Sequence, residues 1–152
     1  ELGIKNSEEV YSRWVRYVNE YEEGASIYPG IIDCLKRVEE LGFIQAVVST
    51  KITNQYRIDV VSKGLDSFMQ CRVLADDTEK HKPDPEPRLK CCELLHCDVS
   101  EVCYVGDTYS DYCASLAAKI DFFYAKWNGF HDERIIDVVE LNHPLELIES
   151  IL

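Results

Sequence analysis

The sequence predicts an α/β fold with a doubly wound parallel sheet. Three observations carry that expectation. Short apolar runs rich in β-branched and aromatic residues recur along the chain, the stretches between them have helical spacing and helix caps, and the strands alternate with those helices.

The elements follow in chain order. Ser7 can cap a helix running to about Glu23, with Val10, Trp14, Val18 and Tyr21 at helical intervals and Gly24 as its stop. Pro29 opens a second helix, with Ile32, Leu35, Val38 and Leu41 expected inward and Gly42 ending it. The run from Phe43 to Val48 is too short and too β-branched for a helix, so it reads as a buried parallel strand ending at Ser49 and Thr50. Thr53 or Asn54 can cap the next helix, which carries Tyr56, Ile58 and Val61 and stops at Gly64.

A short strand is expected from Cys71 to Ala75. The polar segment from Asp76 to Pro87 holds three prolines, which makes it a stiff surface loop. Pro87 can then begin a helix containing Leu89, Cys92 and Leu95. A strand from Val102 to Val105, a helix from Tyr109 to Lys119, a strand from Phe122 to Ala125 and a loop from Trp127 to Phe130 come next. A weak strand near Val138 to Leu141 and a terminal helix from Pro144 close the chain.

With 152 residues and 46% hydrophobic content, the chain is long enough for one domain with a real core. A net charge of −12 argues against nucleic acid or anionic membrane as a partner, because both need basic surface, and it suits the binding of metal cations. There is no apolar run long enough to span a bilayer and no charged-then-apolar start, so a soluble cytoplasmic protein is expected. The seven cysteines, Cys34, Cys71, Cys91, Cys92, Cys97, Cys103 and Cys113, are odd in number and lack C-x-x-C spacing. Most sit in apolar patterns, as reduced core residues of an intracellular protein do. A zinc site from Cys91, Cys92, His96 and Cys97 is disfavoured, since adjacent cysteines on a helix point apart and no second ligand pair follows.

The run Val102-Cys-Tyr-Val-Gly-Asp-Thr-Tyr-Ser-Asp111 carries the most chemistry. A short strand delivers Asp107 to its carboxyl end, where open α/β sheets bind ligands, and Asp111 follows one helical turn later on the same side. A carboxylate pair with room for water suits Mg²⁺ better than Zn²⁺; the same spacing also suits a helix cap with a solvated acidic turn. Ser49, after the Ala46-Val-Val48 run, can offer its hydroxyl and the amides beyond it to an anion, or simply cap the following helix. Lys82 lies in Lys80-His-Lys-Pro-Asp-Pro85, where two prolines fix the backbone and can aim one ammonium inward, against a phosphoryl group or crowded carboxylates. Lys80 and His81 read as solvated neighbours. Trp127, Asn128 and Gly129, after a strand end, are placed at the pocket mouth or, for Trp127, in the core.

In this order, Ala46-Val-Val-Ser-Thr-Lys51, Lys82-Pro-Asp-Pro85 and Val105-Gly-Asp-Thr-Tyr-Ser-Asp111 resemble the later motifs of the haloacid dehalogenase superfamily of phosphohydrolases, in its phosphoglycolate phosphatase and β-phosphoglucomutase-like branch. The likeness runs from about Tyr28-Pro-Gly30 to near Phe130. It implies a Rossmann-like core over residues 26–152, preceded in residues 1–25 by the last helix of a helical cap. It further implies that Ser49 and Thr50 bind phosphate, that Lys82 holds phosphate and nucleophile together, and that Asp107 ligates Mg²⁺ with Asp111 supporting it. The partner would be a small phosphorylated substrate, hydrolysed through an aspartyl-phosphate.

One departure stands against that likeness. The family's D-x-D motif, whose first Asp attacks phosphorus, occurs nowhere in these residues; Asp76-Asp77 and Asp84-Pro-Glu86 lie in the proline-rich loop and cannot replace it. In the family that motif lies on the middle strand, so the strands ending at Ser49 and before Asp107 would each have a bare inner edge. The resulting expectation is a chain from a longer phosphatase, inactive alone, with the nucleophile on an N-terminal segment outside it. A dehalogenase is disfavoured because it needs no metal, and a phosphomutase remains open. From another class, a non-catalytic phosphate-binding or scaffolding domain fits the absence of D-x-D, whereas a nucleotide switch lacks its glycine-rich loop.

Overall fold

Gly30 sets the entry to the first long helix. Its backbone is left-handed at φ +85°, and a Cβ there would lie 2.6 Å from the His143 ring, so both conformation and space call for glycine. Helix α1 (Ile31–Glu40) follows. Its buried stripe holds Cys34 and Val38 with Leu35 and Leu41 half-buried; of the four residues expected inward, Ile32 alone is exposed. The computed structural model describes residues 9, 10, 12, 13, 16, 17 and 25–152. Those first six residues are helical, and the rest of the expected helix from Ser7 to Glu23, with the proposed cap segment 1–25, lies almost entirely outside the described residues.

Strand β1 (Ala46–Val48) is shorter than the apolar run that announces it, because Phe43 and Ile44 find no strand partner and stay exposed. Helix α2 (Thr53–Asp59) takes its cap from a distance. The Asp76 carboxylate accepts from the Thr53 amide at 2.8 Å and from the Thr53 hydroxyl at 2.9 Å, so Thr53 is the first helical residue and not the cap. Two tight turns on either side of Gly64 replace the helix's expected end. Strand β2 (Cys71–Val73) pairs in parallel with β1, Ala46 facing Cys71 and Val48 facing Val73.

After the proline loop come helix α3 (Glu86–Leu95), strand β3 (Cys103–Gly106), helix α4 (Tyr109–Ala118), strand β4 (Asp121–Ala125), strand β5 (Val139–Leu141) and helix α5 (Glu146–Ser150). Strands β3, β4 and β5 form a second parallel sheet in that order. Helices α3 and α4 pack on each other and on the strands, and α1 packs on α5. The core beneath α4 joins Phe122, Tyr124 and Ile135, with Cys92, Ala118 and Ile120 forming a second cluster.

The α/β class and parallel pairing are as expected, but the strands fall into two sheets and not one. No hydrogen bond joins β1 to β3 in strand pairing. Between them lies an open cavity of about 610 Å³, which Val47 and Val105 line from opposite sides. Among the described residues, no helix is long and apolar enough to cross a membrane.

Candidate active site

The two sheets come closest chemically at one rim, where β1 and β3 both end. Gly106 makes the approach possible: a Cβ there would sit 2.7 Å from the Asp111 Cβ and 3.0 Å from the Phe122 ring. Thr108 then caps α4, its hydroxyl oxygen accepting from the Asp111 amide at 3.2 Å and in turn donating to the Asp111 carboxylate. The first turn of α4 is thus closed around Asp111, which is only 2% exposed.

A carboxylate so deep in the protein needs cations. Lys82 reaches both Asp111 oxygens, at 3.2 and 3.1 Å, and the Thr108 hydroxyl at 3.5 Å. Arg88, itself 2% exposed, donates to Asp111 Oδ1 at 3.0 Å and to the Asp111 carbonyl at 3.2 Å. Burial alone would raise the Asp111 carboxyl, but the Thr108 hydroxyl, the Lys82 ammonium and the Arg88 guanidinium together hold it below the ordinary carboxylate range. The Arg88 guanidinium also stacks on the Tyr104 ring at 3.8 Å, and the Tyr104 hydroxyl donates to the Val48 carbonyl at 3.1 Å. Burial, then the nearby Asp111, pushes the Tyr104 hydroxyl well above its usual value.

Ser49 and Thr50 lie beside this cluster, lining with Lys82, Arg88 and Tyr104 a small cleft of about 10 Å³, the space of one water. The Ser49 amide donates to the Val73 carbonyl at 3.0 Å, fixing the end of β1, and the Ser49 hydroxyl accepts from the Lys51 amide at 3.2 Å. Its hydrogen remains available to an incoming anion. Lys51 turns away to pair with Asp59.

The structure therefore gathers Ser49, Thr50, Lys82 and Asp111 at one rim, with Asp107 next to them on a separate footing. Asp107 is exposed and accepts one hydrogen bond, from the Asn128 side chain at 3.1 Å. The two acidic residues paired in the sequence thus point to different tasks: Asp111 faces cations of the protein, while Asp107 faces solvent. No cluster of three His, Cys, Asp or Glu side chains suited to a metal occurs among the described residues. Mg²⁺ retains several waters and needs only one or two carboxylates, so an exposed Asp107 fits it, with Asn128 steadying the carboxylate.

Arg88 and Thr108 escape sequence reasoning. Arg88 stands among the apolar residues of a helix, where an arginine reads as a surface cation; its one signal is its position on the stripe that also holds Cys91 and Cys92. Asn128, expected at the pocket mouth, is the partner of Asp107, and Trp127 lines the larger cavity between the two sheets. The thiols of Cys34, Cys91 and Cys92 are buried and free, with burial pushing Cys91 up to about 12 and Cys92 up to about 11. Cys103 is the exception to the core assignment: it is exposed, beside the cavity.

Comparison with known proteins places the chain in a family. A pyrophosphatase PpaX from Bacillus pumilus is 34% identical over 91 residues, covering 60% of this chain and 42% of that protein. The N-acetylmuramic acid 6-phosphate phosphatase of Pseudomonas aeruginosa is 28% identical over 153 residues, covering 95% and 67%. A solved structure from Lactobacillus plantarum, provisionally assigned as a phosphoglycolate phosphatase, superposes with a TM-score of 0.88 at 25% identity over 97% of this chain and 72% of the other. The chain spans about half the length of the curated pyrophosphatase relatives it matches. The family model described as haloacid dehalogenase-like hydrolase matches residues 1–125, and the chain belongs to that family.

Proposed function

We propose that this chain is the phosphate-binding and metal-binding part of a Mg²⁺-dependent phosphomonoester hydrolase. It acts on a small phosphorylated metabolite through an aspartyl-phosphate, the attacking aspartate coming from outside these 152 residues. Residues 26–152 are read as the catalytic core and 1–25 as the end of a substrate-covering cap.

The observation that carries the reading is the Lys82 ammonium, held between Asp111 and Thr108 and beside Ser49 at the shared end of two parallel strands. Lys82 is 28% exposed, so one side of the ammonium is fixed by Asp111 and the other is open to an anion. In the proposed reaction Lys82 neutralises a phosphoryl oxygen, and the Ser49 hydroxyl donates to another. Asp111 orients Lys82, and Arg88 keeps the Asp111 carboxylate ionised and in place. Asp107, supported by Asn128, would hold Mg²⁺, which supplies positive charge against the phosphoryl oxygens. The relatives named above act, by their names, on pyrophosphate and on a sugar phosphate, both small phosphorylated molecules.

Asp107→Asn in the full-length protein is expected to lower Mg²⁺-dependent p-nitrophenyl phosphate hydrolysis by about 100-fold or more. Unchanged turnover at saturating Mg²⁺ would remove Asp107 from the metal site. The absence of D-x-D from these residues favours a second reading, a non-catalytic phosphate-binding domain of the same fold. Sequencing the reading frame upstream of Glu1 separates the two: an apolar strand followed by D-x-D supports the hydrolase.

A further inference from the structure

Asp59, the last residue of α2, stands where a carboxylate is costly. It lies at the negative end of the helix dipole, and its side chain is only 8% exposed, two penalties that a neutral residue would avoid. Two partners far apart in sequence offset them. The Lys51 ammonium pairs with Asp59 Oδ2, and the Ala25 amide donates to Asp59 Oδ1 at 3.1 Å. Burial alone would raise the Asp59 carboxyl, but Lys51, the Ala25 amide and the charge of Lys63 hold it below its ordinary range.

Each partner leads somewhere. Ala25 belongs to the stretch by which the chain enters α1. Lys51 directly follows Ser49 and Thr50, which line the anion cleft. Its amide donates to the Ser49 hydroxyl oxygen at 3.2 Å, and its carbonyl accepts from the Ala75 amide at 3.1 Å, beyond β2. With that oxygen engaged as an acceptor, the direction left to the Ser49 hydrogen depends on where Lys51 stands. Lys51 in turn is held by its side chain from Asp59 and by its backbone from Ala75.

We infer that Asp59 is a positioning residue for the anion site: through Lys51 it sets the Ser49 hydroxyl, and through Ala25 it makes that setting depend on where the chain enters the core. The inference rests on the reading of Ser49 and Lys82 as phosphate-binding groups. Coupling of this kind is reciprocal, so an anion that orders Ser49 also tightens the hold on Ala25. A carboxylate that merely stabilised the end of α2 would change the melting temperature and leave Ala25 indifferent to the anion.

The test is amide hydrogen exchange on the full-length protein, with inorganic phosphate as the probe and its affinity measured by calorimetry. Saturating phosphate should slow exchange at Ala25 about fivefold or more, beyond any slowing in residues 139–141 of β5, at the edge of the other sheet. Asp59→Asn keeps an oxygen for the Ala25 amide and removes the charge that draws Lys51. It should bind phosphate about fivefold more weakly, and exchange at Ala25 should no longer respond to phosphate. Asp59→Glu, which keeps the charge, should recover part of both effects. Should Asp59→Asn fail to fold, the wild-type response decides alone. Phosphate binding without a response at Ala25, an equal response in β5, or wild-type affinity and response in Asp59→Asn would each overturn the inference and leave the phosphate site standing. A wild-type protein that binds no phosphate removes the phosphate-binding reading and this inference together.

Discussion

Asp111 shows how one residue can be legible in position and not in role. The G-D-x-x-x-D spacing places it correctly on the first turn of α4, yet its partners come from a loop and a helix far away in sequence, Lys82 and Arg88. Lys82 is readable because two prolines flag its loop; Arg88 is not, because burial of a guanidinium depends on a tertiary partner that no local pattern announces. Asp111→Asn would leave the buried Arg88 and half-buried Lys82 without their counter-charge. Breaking such a pair by removing one side destabilises by about 3 kcal/mol or more, measurable as a shift in the urea midpoint. The pH dependence has a fixed sign. The Asp111 carboxyl is held low in the folded protein, so its stabilisation is fully present above its unfolded value of about 3.9 and is lost as pH falls through the folded value. The gap between wild type and Asp111→Asn should therefore be wide at neutral pH and close in acid; a constant gap would refute the assignment.

At the scale of elements, the alternation of helices and strands is readable, and the boundaries are less so. Apolar runs overstate strands such as β1, because a residue joins a strand only where a neighbouring strand exists to pair with it. The cap of α2 was invisible for a related reason: it comes from Asp76, beyond the next strand. The turn between β3 and α4 is the best-specified connection, since a Cβ on Gly106 would run into Asp111 and Phe122. Gly106→Ala should cost about 1–3 kcal/mol from overpacking. Because the displaced atoms belong to Asp111, it should also weaken binding of inorganic phosphate at the rim. Thermal melts and phosphate titration by calorimetry test the two effects; a variant with wild-type stability would show that the turn yields more easily than the contact distances imply.

For the whole molecule, composition and motif order led to the right fold class, and the bare inner edges follow from the likeness that the motifs carry. What no sequence pattern gives is the shape of the resulting division. β1, β2 and α3 form one part, while β3, β4, β5 and α4 form another, with no strand pairing between them. Contact between α3 and α4, the packing of α1 on both α5 and the turn at 65–68, the hydrogen bond from Tyr104 to Val48 and the charges around Asp111 join the two. Two parts joined this lightly should melt with imperfect cooperativity, the van't Hoff enthalpy falling below the calorimetric one.

The stacked pair of Arg88 and Tyr104 has a mechanical meaning as well. It ties the guanidinium that grips Asp111 to the aromatic ring whose hydroxyl holds the end of β1, so one side chain senses both parts at the same time. A shift of one sheet relative to the other would therefore tilt the grip on the carboxylate and, through it, the ammonium meant for the substrate. Alignment of the halves and readiness of the anion site become a single adjustable quantity.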